Sequence, residues 1–333
     1  MDEPTVSVII PMYNDSRTIG LCLSAALSQT YPPVEVIVVD DVSTDDSAAV
    51  AAAHPCTLIR SDVNGGPGGA RNLGVRHAKG DVFFFVDADV AMSPDAVANA
   101  VRLLSGPEGY GAVFGVPDKV PLFPEGPIGQ YRILQYHYWR KSAEGPVSGG
   151  FYALGAVTRE AFERAGWFNP ALRQTEEIDH AERLSAAYPM LLTSRIGGRL
   201  SDENRLAPIL SKAFRRSRLR VPFYLQRGRA MQGMETGSRA FAAVLAAVVL
   251  AGLPVALVHP PAVVPLGLLL TLFVAVDFGQ YAFVRRERGP AFTAFFTGVH
   301  LLMNAAVVCG LAVGVLEWTV RPSFRRMYRG VAS

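Results

Sequence analysis

The sequence predicts an α/β domain built on a mostly parallel sheet, followed by a helical membrane region. Two observations carry this. Short unbroken apolar runs alternate with helical patterns between Val6 and Val86, and the chain from Ala240 to Trp318 is almost free of charge. Of its 333 residues 50% are hydrophobic and only 18% charged, with a net charge of +3. A charged fraction below the usual level of roughly one quarter excludes a disordered or strongly nucleic-acid-binding chain and points toward lipid.

The first run, Val6 to Ile10, is rich in β-branched residues and closed by Pro11; Val34 to Val39 ends at Asp40, and Phe83 to Val86 at Asp87. Between the first two, Ile19, Leu23, Ala26 and Leu27 mark one face of a helix from about Arg17 to Ser28, with Asp15 or Ser16 as N-cap. Further helices follow Ser43-Thr44-Asp45-Asp46 and Gly69. Strands that do not alternate and are separated by helices imply a parallel sheet covered on both faces. Such sheets bind ligands at the carboxyl ends of their strands, which here carry Pro11-Met12-Tyr13-Asn14, Asp40-Asp41 and Asp87-Ala88-Asp89.

Apolar stretches at about 240–258, 262–284 and 292–317 each reach or approach the roughly 20 residues needed to cross a bilayer, so three transmembrane helices are expected. Met1-Asp2-Glu3-Pro4 is acidic and leads straight into a strand, so no signal peptide is expected and the α/β part stays cytoplasmic. Lys212, Arg215, Arg216, Arg218 and Arg220 place the start of the first span inside, and Arg285, Arg286 and Arg288 the end of the second. A third crossing puts Arg321, Arg325, Arg326 and Arg329 outside, against the positive-inside rule; a re-entrant or interfacial 292–318 segment is the alternative. Cys22, Cys56 and Cys309 are scattered, with neither a zinc pattern nor a disulfide framework.

Asp87-Ala88-Asp89 is the strongest candidate for chemistry. Two carboxylates at i and i+2 after a buried strand suit Mg²⁺ or Mn²⁺, and such an ion neutralises charge on a departing diphosphate. The competing role, starting the next helix, is filled by Ser93-Pro94. Asn64 to Asn72, Asn-Gly-Gly-Pro-Gly-Gly-Ala-Arg-Asn, looks like a phosphate cradle without a P-loop lysine, and its value lies in Arg71 at a helix start. Asp40-Asp41 reads equally as a turn or a ligand contact. Thr175 to His180 supplies distant carboxylates, either a general base or a solvated first helical turn.

These stretches together resemble family 2 of the inverting glycosyltransferases, with a GT-A fold. The matching segments are V-S-V-I-I-P-M-Y-N, V-V-D-D-V-S-T-D-D-S, N-G-G-P-G-G-A-R-N-L-G, F-F-F-V-D-A-D, S-G-G-F-Y and T-E-E-I-D-H-A-E-R-L, in the family's order over about residues 5–190. The resemblance implies that Pro11, Tyr13, Asp41 and Asp62 contact the base and ribose of a nucleotide-sugar, with a lean toward uridine. It places Arg71 near the phosphates, Asp87 on the substrate and Asp89 on a divalent metal, while Gly149 and Gly150 shape the sugar pocket. The base is the second acid of the family's E-D-x-D, here Glu177 in place of Asp, with Glu176 as the alternative if the register slips and Asp179 as the pattern's last acid. Gln226 and Arg229 resemble the Q-x-x-R-W segment of processive members, but Ala230 replaces the tryptophan, so transfer of one or few sugars is expected.

The resulting expectation is a multi-pass inner-membrane glycosyltransferase acting on a lipid or envelope-glycan hydroxyl and needing no nucleic acid. Transfer to a polyprenyl phosphate is the competitor, and a catalytically silent nucleotide-binding scaffold the third reading. The expected divisions are 1–205 for the GT-A domain, 206–239 for a basic amphipathic interface segment, 240–320 for the membrane region and 321–333 for a basic tail.

Overall fold

The computed structural model describes residues 3–227 and 237–327. These form two compact units: the first holds the chain up to Glu125 and Trp139–Asp202, the second Gly126–Tyr138 and the described chain from Glu203 onward.

In the first unit the order is β1 (Val6–Met12), α1 (Ile19–Leu27), β2 (Glu35–Asp40), α2 (Ser47–Ala52), β3 (Thr57–Arg60), α3 (Gly66–His77), β4 (Val82–Val86), β5 (Val90–Met92), α4 (Ala96–Leu104) and β6 (Ala112–Pro117). Helix α5 (Pro127–Ser142) begins in the second unit and ends in the first, which continues through β7 (Gly145–Pro146), β8 (Leu154–Thr158), α6 (Arg159–Ala165), α7 (Glu176–Ser185) and β9 (Met190–Leu200). All nine strands join one sheet in the order β3-β2-β1-β4-β8-β6-β9-β5, with β7 on β9.

The parallel half is β3-β2-β1-β4. Strand β8 then runs antiparallel to both β4 and β6, and β5 antiparallel to β9. The sheet is therefore mixed rather than mostly parallel. The expectation stopped where its apolar runs stopped, because β8, only five residues of Leu-Gly-Ala-Val-Thr, carries little pattern to read. A Cβ at Gly155 in β8 would also press on the Phe114 ring of β6, so that strand pair needs the glycine. The core is aromatic: Tyr152 meets Phe85, Phe114 and Phe168 edge-on at 5.6, 5.2 and 4.8 Å between ring centres.

Element ends differ from expectation in several places: β1 runs on through Pro11 to Met12, and α3 begins at Gly66, ahead of Gly69. Helix α1 starts at Ile19 with no side-chain cap, because the Asp15 carboxylate turns back to accept the Tyr13 N–H at 2.9 Å. Helix α4 starts at Ala96, beyond Ser93-Pro94, whose Ser93 carbonyl accepts the Ala96 N–H at 3.0 Å.

The second unit is helical: α8 (Leu206–Arg227), α9 (Gly237–Val258), a 3₁₀ turn (Pro260–Ala262), α10 (Val263–Val276), α11 (Phe278–Val320) and α12 (Pro322–Arg325), besides the start of α5. Here the expected spans are redrawn. The 262–284 stretch is broken at Asp277, whose φ of −126° and ψ of 45° leave the helix. Beyond that break runs one 43-residue helix with a kink at Gly289, where φ is +81°. Gly289-Pro290 is a stop-and-restart signal: glycine takes the left-handed turn and proline opens the next helical run. Among the described residues two helices, Gly237–Val258 and Phe278–Val320, are long and apolar enough to cross a membrane.

Candidate active site

The carboxyl ends of β1, β2 and β4 surround a cavity of about 340 Å³. Pro11, Tyr13 and Asp15 from β1 and its exit, Asp41 after β2, Asn64 and Gly66 before and at the start of α3, Asp87 and Asp89 after β4, and Arg173 and Gln174 before α7 line it. Strands β1 and β4 lie side by side although β2 and β3 come between them in the chain, so this is a switch point of the kind where parallel sheets hold ligands.

Two strand exits are bent into the left-handed region by residues other than glycine, Asn14 at φ 58° and Val42 at φ 67°. A β-branched residue there is strained. The two bends are tied together: the Asn14 carboxamide oxygen accepts the Thr44 N–H at 2.8 Å, and the Asn14 N–H donates to the Ser43 hydroxyl at 3.0 Å. Tyr13, half exposed, is thereby held at the mouth.

The glycine-rich stretch proves to be a cradle for the protein's own carboxylate. Asp41, 3% exposed, accepts the N–H of Gly65 through Oδ1 and of Gly66 through Oδ2, both at 2.8 Å. Gly66 has φ +71°, which glycine adopts without penalty. The amides expected to cradle phosphate are thus occupied, and Asp41, expected on base and ribose, has both oxygens engaged in shaping the loop.

Arg71 differs most from expectation. It does not line the cavity and is 1% exposed, so it is no open phosphate ligand. One guanidinium nitrogen lies 2.8 Å from Asp87 Oδ1 and 2.8 Å from Glu177 Oε1, and another 3.8 Å from Glu176 Oε1. The rings of Tyr152 and Phe168 sit 5.9 and 5.7 Å from it. Burial works against its charge, but Glu177, Asp87 and Glu176 outweigh that and hold its pKa above the ordinary value. A buried charge is tolerated only when so paired. Gly68 makes the approach possible, since a Cβ there would lie 3.1 Å from Glu176 Cγ and 3.3 Å from Phe168 Cβ.

Of the two candidate bases, the Glu177 side chain is 29% exposed and that of Glu176 6%. Asp179 faces elsewhere: fully buried, it pairs with Arg183 at 3.0 Å. Gly149 and Gly150 are buried outside the cavity lining, and a Cβ on Gly150 would collide with Tyr152 and with Ala181 of α7. Asp62 is exposed and outside the lining. Gln226 ends α8 in the helical unit, its amide donating to the Arg325 carbonyl, and Arg229 lies outside the described residues.

Residues not foreseen from the sequence also belong here. Asp15, assigned there to helix capping, lines the cavity; its carboxyl is pushed up to about 6 by burial, against the lowering Tyr13 N–H bond, with Asp87 and Asp45 adding to the rise. Arg173 reaches the Asn64 side chain at 3.1 Å and its carbonyl at 2.6 Å, joining the α7 approach to the glycine loop. Behind the site His180 stacks on Phe168 at 4.2 Å and shares a hydrogen bond with the Tyr152 hydroxyl through Nδ1 at 2.5 Å. Burial first, then Arg183 and Arg71, push His180 down to about 3, so it is neutral.

The donor set suits a hard divalent cation. The buried Cys22 thiol is raised by burial and then by the charges of Asp89, Asp87 and Asp15. Among the described residues no three His, Cys, Asp or Glu side chains gather closely enough to hold an ion alone. A site of one or two carboxylates completed by substrate phosphates is the Mg²⁺ pattern.

Residues 7–160 match the family model described as glycosyl transferase family 2. A succinoglycan biosynthesis protein of Rhizobium meliloti is 39% identical over 102 residues, covering 30% of this chain and 29% of its own. The chondroitin synthase of Escherichia coli is 41% identical over 98 residues, 28% of this chain and 14% of that one. The chain thus matches less than a third of the length of these relatives. Among solved structures, a mannosyltransferase from Pyrobaculum calidifontis, in complex with GDP-Man and Mn²⁺, superposes with a TM-score of 0.58 at 21% identity, over 95% of this chain and 88% of that one. At that identity the likeness establishes the fold, a mixed α/β sheet of GT-A type.

Proposed function

We propose that the chain, whose residues 7–160 match the glycosyl transferase family 2 model, is a membrane-anchored inverting enzyme moving one sugar from a nucleoside-diphosphate donor, a UDP-sugar by family resemblance, to a hydroxyl of a lipid or envelope glycan. The observation that carries this reading is the Arg71 bridge, which binds the carboxylate after β4 and the first turn of α7 into one assembly beside the cavity.

In this reading the donor's nucleotide enters between Pro11, Tyr13 and the Asp41-shaped loop. Asp89, with Asp87 beside it, would hold Mg²⁺ or Mn²⁺, which when bound supplies positive charge to the departing diphosphate. Glu177 takes the proton of the acceptor hydroxyl at its carboxylate, and the oxygen attacks the anomeric carbon on the face opposite the diphosphate, inverting it. Arg71 fixes that carboxylate in place. Glu176, being buried, supports the arginine instead of meeting the acceptor.

Membrane anchoring in the second unit draws support from apolar side chains left uncovered, among them Leu257 at 85% and Val258 at 83% exposure. Residues 1–205, 206–239, 240–320 and 321–333 remain the proposed catalytic, interfacial, membrane and tail regions, the catalytic one on the cytoplasmic side of the inner membrane.

The test is Glu177→Gln in purified protein, assayed against a panel of nucleotide-sugars with and without Mn²⁺. Transfer to a hydroxyl is expected to fall by about two to four decades with donor affinity retained. Survival of transfer onto a polyprenyl phosphate, already ionised, would replace the hydroxyl reading. Donor binding without turnover in the wild type would favour the silent scaffold.

A further inference from the structure

The helical unit contains a hairpin that its own core does not cover. Helices α9 and α10 meet across the Pro260–Ala262 turn, with Gly252 against Leu266. Ala242, Leu245, Ala246 and Val249 of α9 and Phe273 of α10 join the buried cluster, but no residue from 250 to 272 is buried. Nor does any Asp, Glu, Lys or Arg occur from Ala240 to Val276. At 1.5 Å per residue the arms 250–258 and 263–272, of which Leu269 and Leu270 touch the cluster as partly buried side chains, extend about 14–15 Å. That is the depth of one leaflet, half of the ~30 Å hydrocarbon core.

The rest of the unit argues against a crossing by 290–320. Helix α8 lies beside it in the same direction: a Cβ on Gly310 would strike Phe214 and Ser217, one on Gly314 would strike Arg218 and Val221, Arg218 bonds Glu317 at 2.6 Å, and Gln226 bonds Arg325. If 290–320 spanned the bilayer, the run Lys212 to Arg220, with one lysine and four arginines, would accompany it into hydrocarbon. Helix α8, with cations along its length, suits the headgroup plane instead, and it carries the apolar 290–320 helix at its side.

Resting on the membrane-anchoring reading above, we infer that the α9–α10 hairpin enters one leaflet without crossing and that α8 and residues 290–320 lie along the same surface. The chain then never reaches the far side, and Arg321, Arg325 and Arg326 stay with the cations of α8 among anionic lipid headgroups. This removes the conflict with the positive-inside rule that three crossings create.

Single cysteines at Val63→Cys, His259→Cys and Ser323→Cys, in a chain with Cys56→Ser and Cys309→Ala and the buried Cys22 kept, are to be probed with a membrane-impermeant maleimide in sealed vesicles of both orientations. Positions 63 and 323 are expected to label from the same side, and 259 from neither, at least tenfold slower. Labelling of 323 or 259 only from the side opposite 63 overturns the inference and leaves anchoring intact. Labelling of 259 as fast as 63, from the same side, overturns anchoring itself. Should the cysteine background fail to fold, Leu257→Trp in the natural chain gives the same answer: quenching by lipids brominated near the chain end is expected to exceed quenching by lipids brominated near the headgroup. The reverse order overturns the leaflet-deep hairpin, and no quenching at all overturns anchoring.

Discussion

Arg71 and Arg218 each hold a glutamate, at 2.8 and 2.6 Å, in opposite settings: Arg71 is 1% exposed in the α/β unit, Arg218 32% exposed in the helical unit. Near-equal distances do not mean equal worth. In water the pair competes with solvent and salt, whereas a buried pair has replaced its solvation by its partners and cannot lose one without leaving the others stranded. The buried pair organises a site, and the half-buried one ties two helices together.

The largest effect should therefore follow Arg71→Ala, which strands Asp87, Glu176 and Glu177 together. A loss of about 3–5 kcal/mol in unfolding free energy is expected, read as a lowered denaturation midpoint in detergent, along with loss of transfer. Arg71→Lys keeps the charge without the two-sided reach, so it should recover much of the stability but little of the turnover. A near-neutral Arg71→Ala would erase the contrast between the two arginines.

Next comes the histidine behind that arginine. His180 is held at about 3 in the folded chain, against about 6.5 when unfolded. Between those values the unfolded chain binds more protons, so stability rises with pH across the window and is lost as pH falls from 6.5 toward 3. The limiting slope is about 1.4 kcal/mol per pH unit. His180→Gln should remove it, so the informative quantity is the difference in slope between wild type and variant from pH 4 to 6; equal slopes would mean that His180 is not neutral in the fold.

A smaller loss, about 1.5–3 kcal/mol, is expected for Asp41→Ala, which leaves the Gly65 and Gly66 amides without their acceptor. Donor affinity should weaken with it, because the loop lines the cavity; calorimetric titration with the nucleotide-sugar checks this. Unchanged donor binding would separate the loop from the site.

Much of this arrangement is legible in the sequence. The strands ending near Pro11, Asp40 and Asp87 are marked by β-branched and aromatic runs, and the carboxylates beyond the last two by chemistry. The parts that escape do so for physical reasons. Five-residue β8 and two-residue β7 are too short to show a periodicity, so the antiparallel half of the sheet stays hidden. Arg71 reads as a surface cation at a helix start; its burial depends on Tyr152, Phe168, Glu176 and Glu177, all at least 81 residues further on. Asp15 looks like a cap because its local pattern is that of a cap. In the helical unit hydropathy registers every apolar residue between Val263 and Val284, but the break between α10 and α11 is a backbone turn at one aspartate.

The smallest effect belongs to the half-buried pair. Glu317 accepts from Arg218 at 2.6 Å and from Arg321 at 2.7 Å, so Arg218→Ala leaves it a partner. Exposure of Arg218 screens what is lost, and a change of at most about 1 kcal/mol is expected, shrinking further with salt. Glu317→Gln removes both pairs at once while freeing two guanidinium groups for lipid phosphate. In anionic vesicles it should bind as tightly as wild type or slightly more so, whereas in detergent it should be marginally less stable. A loss of several kcal/mol from either variant would mean that this pair is buried when the protein is on its membrane, and the distinction between the two arginines would then hold only away from lipid.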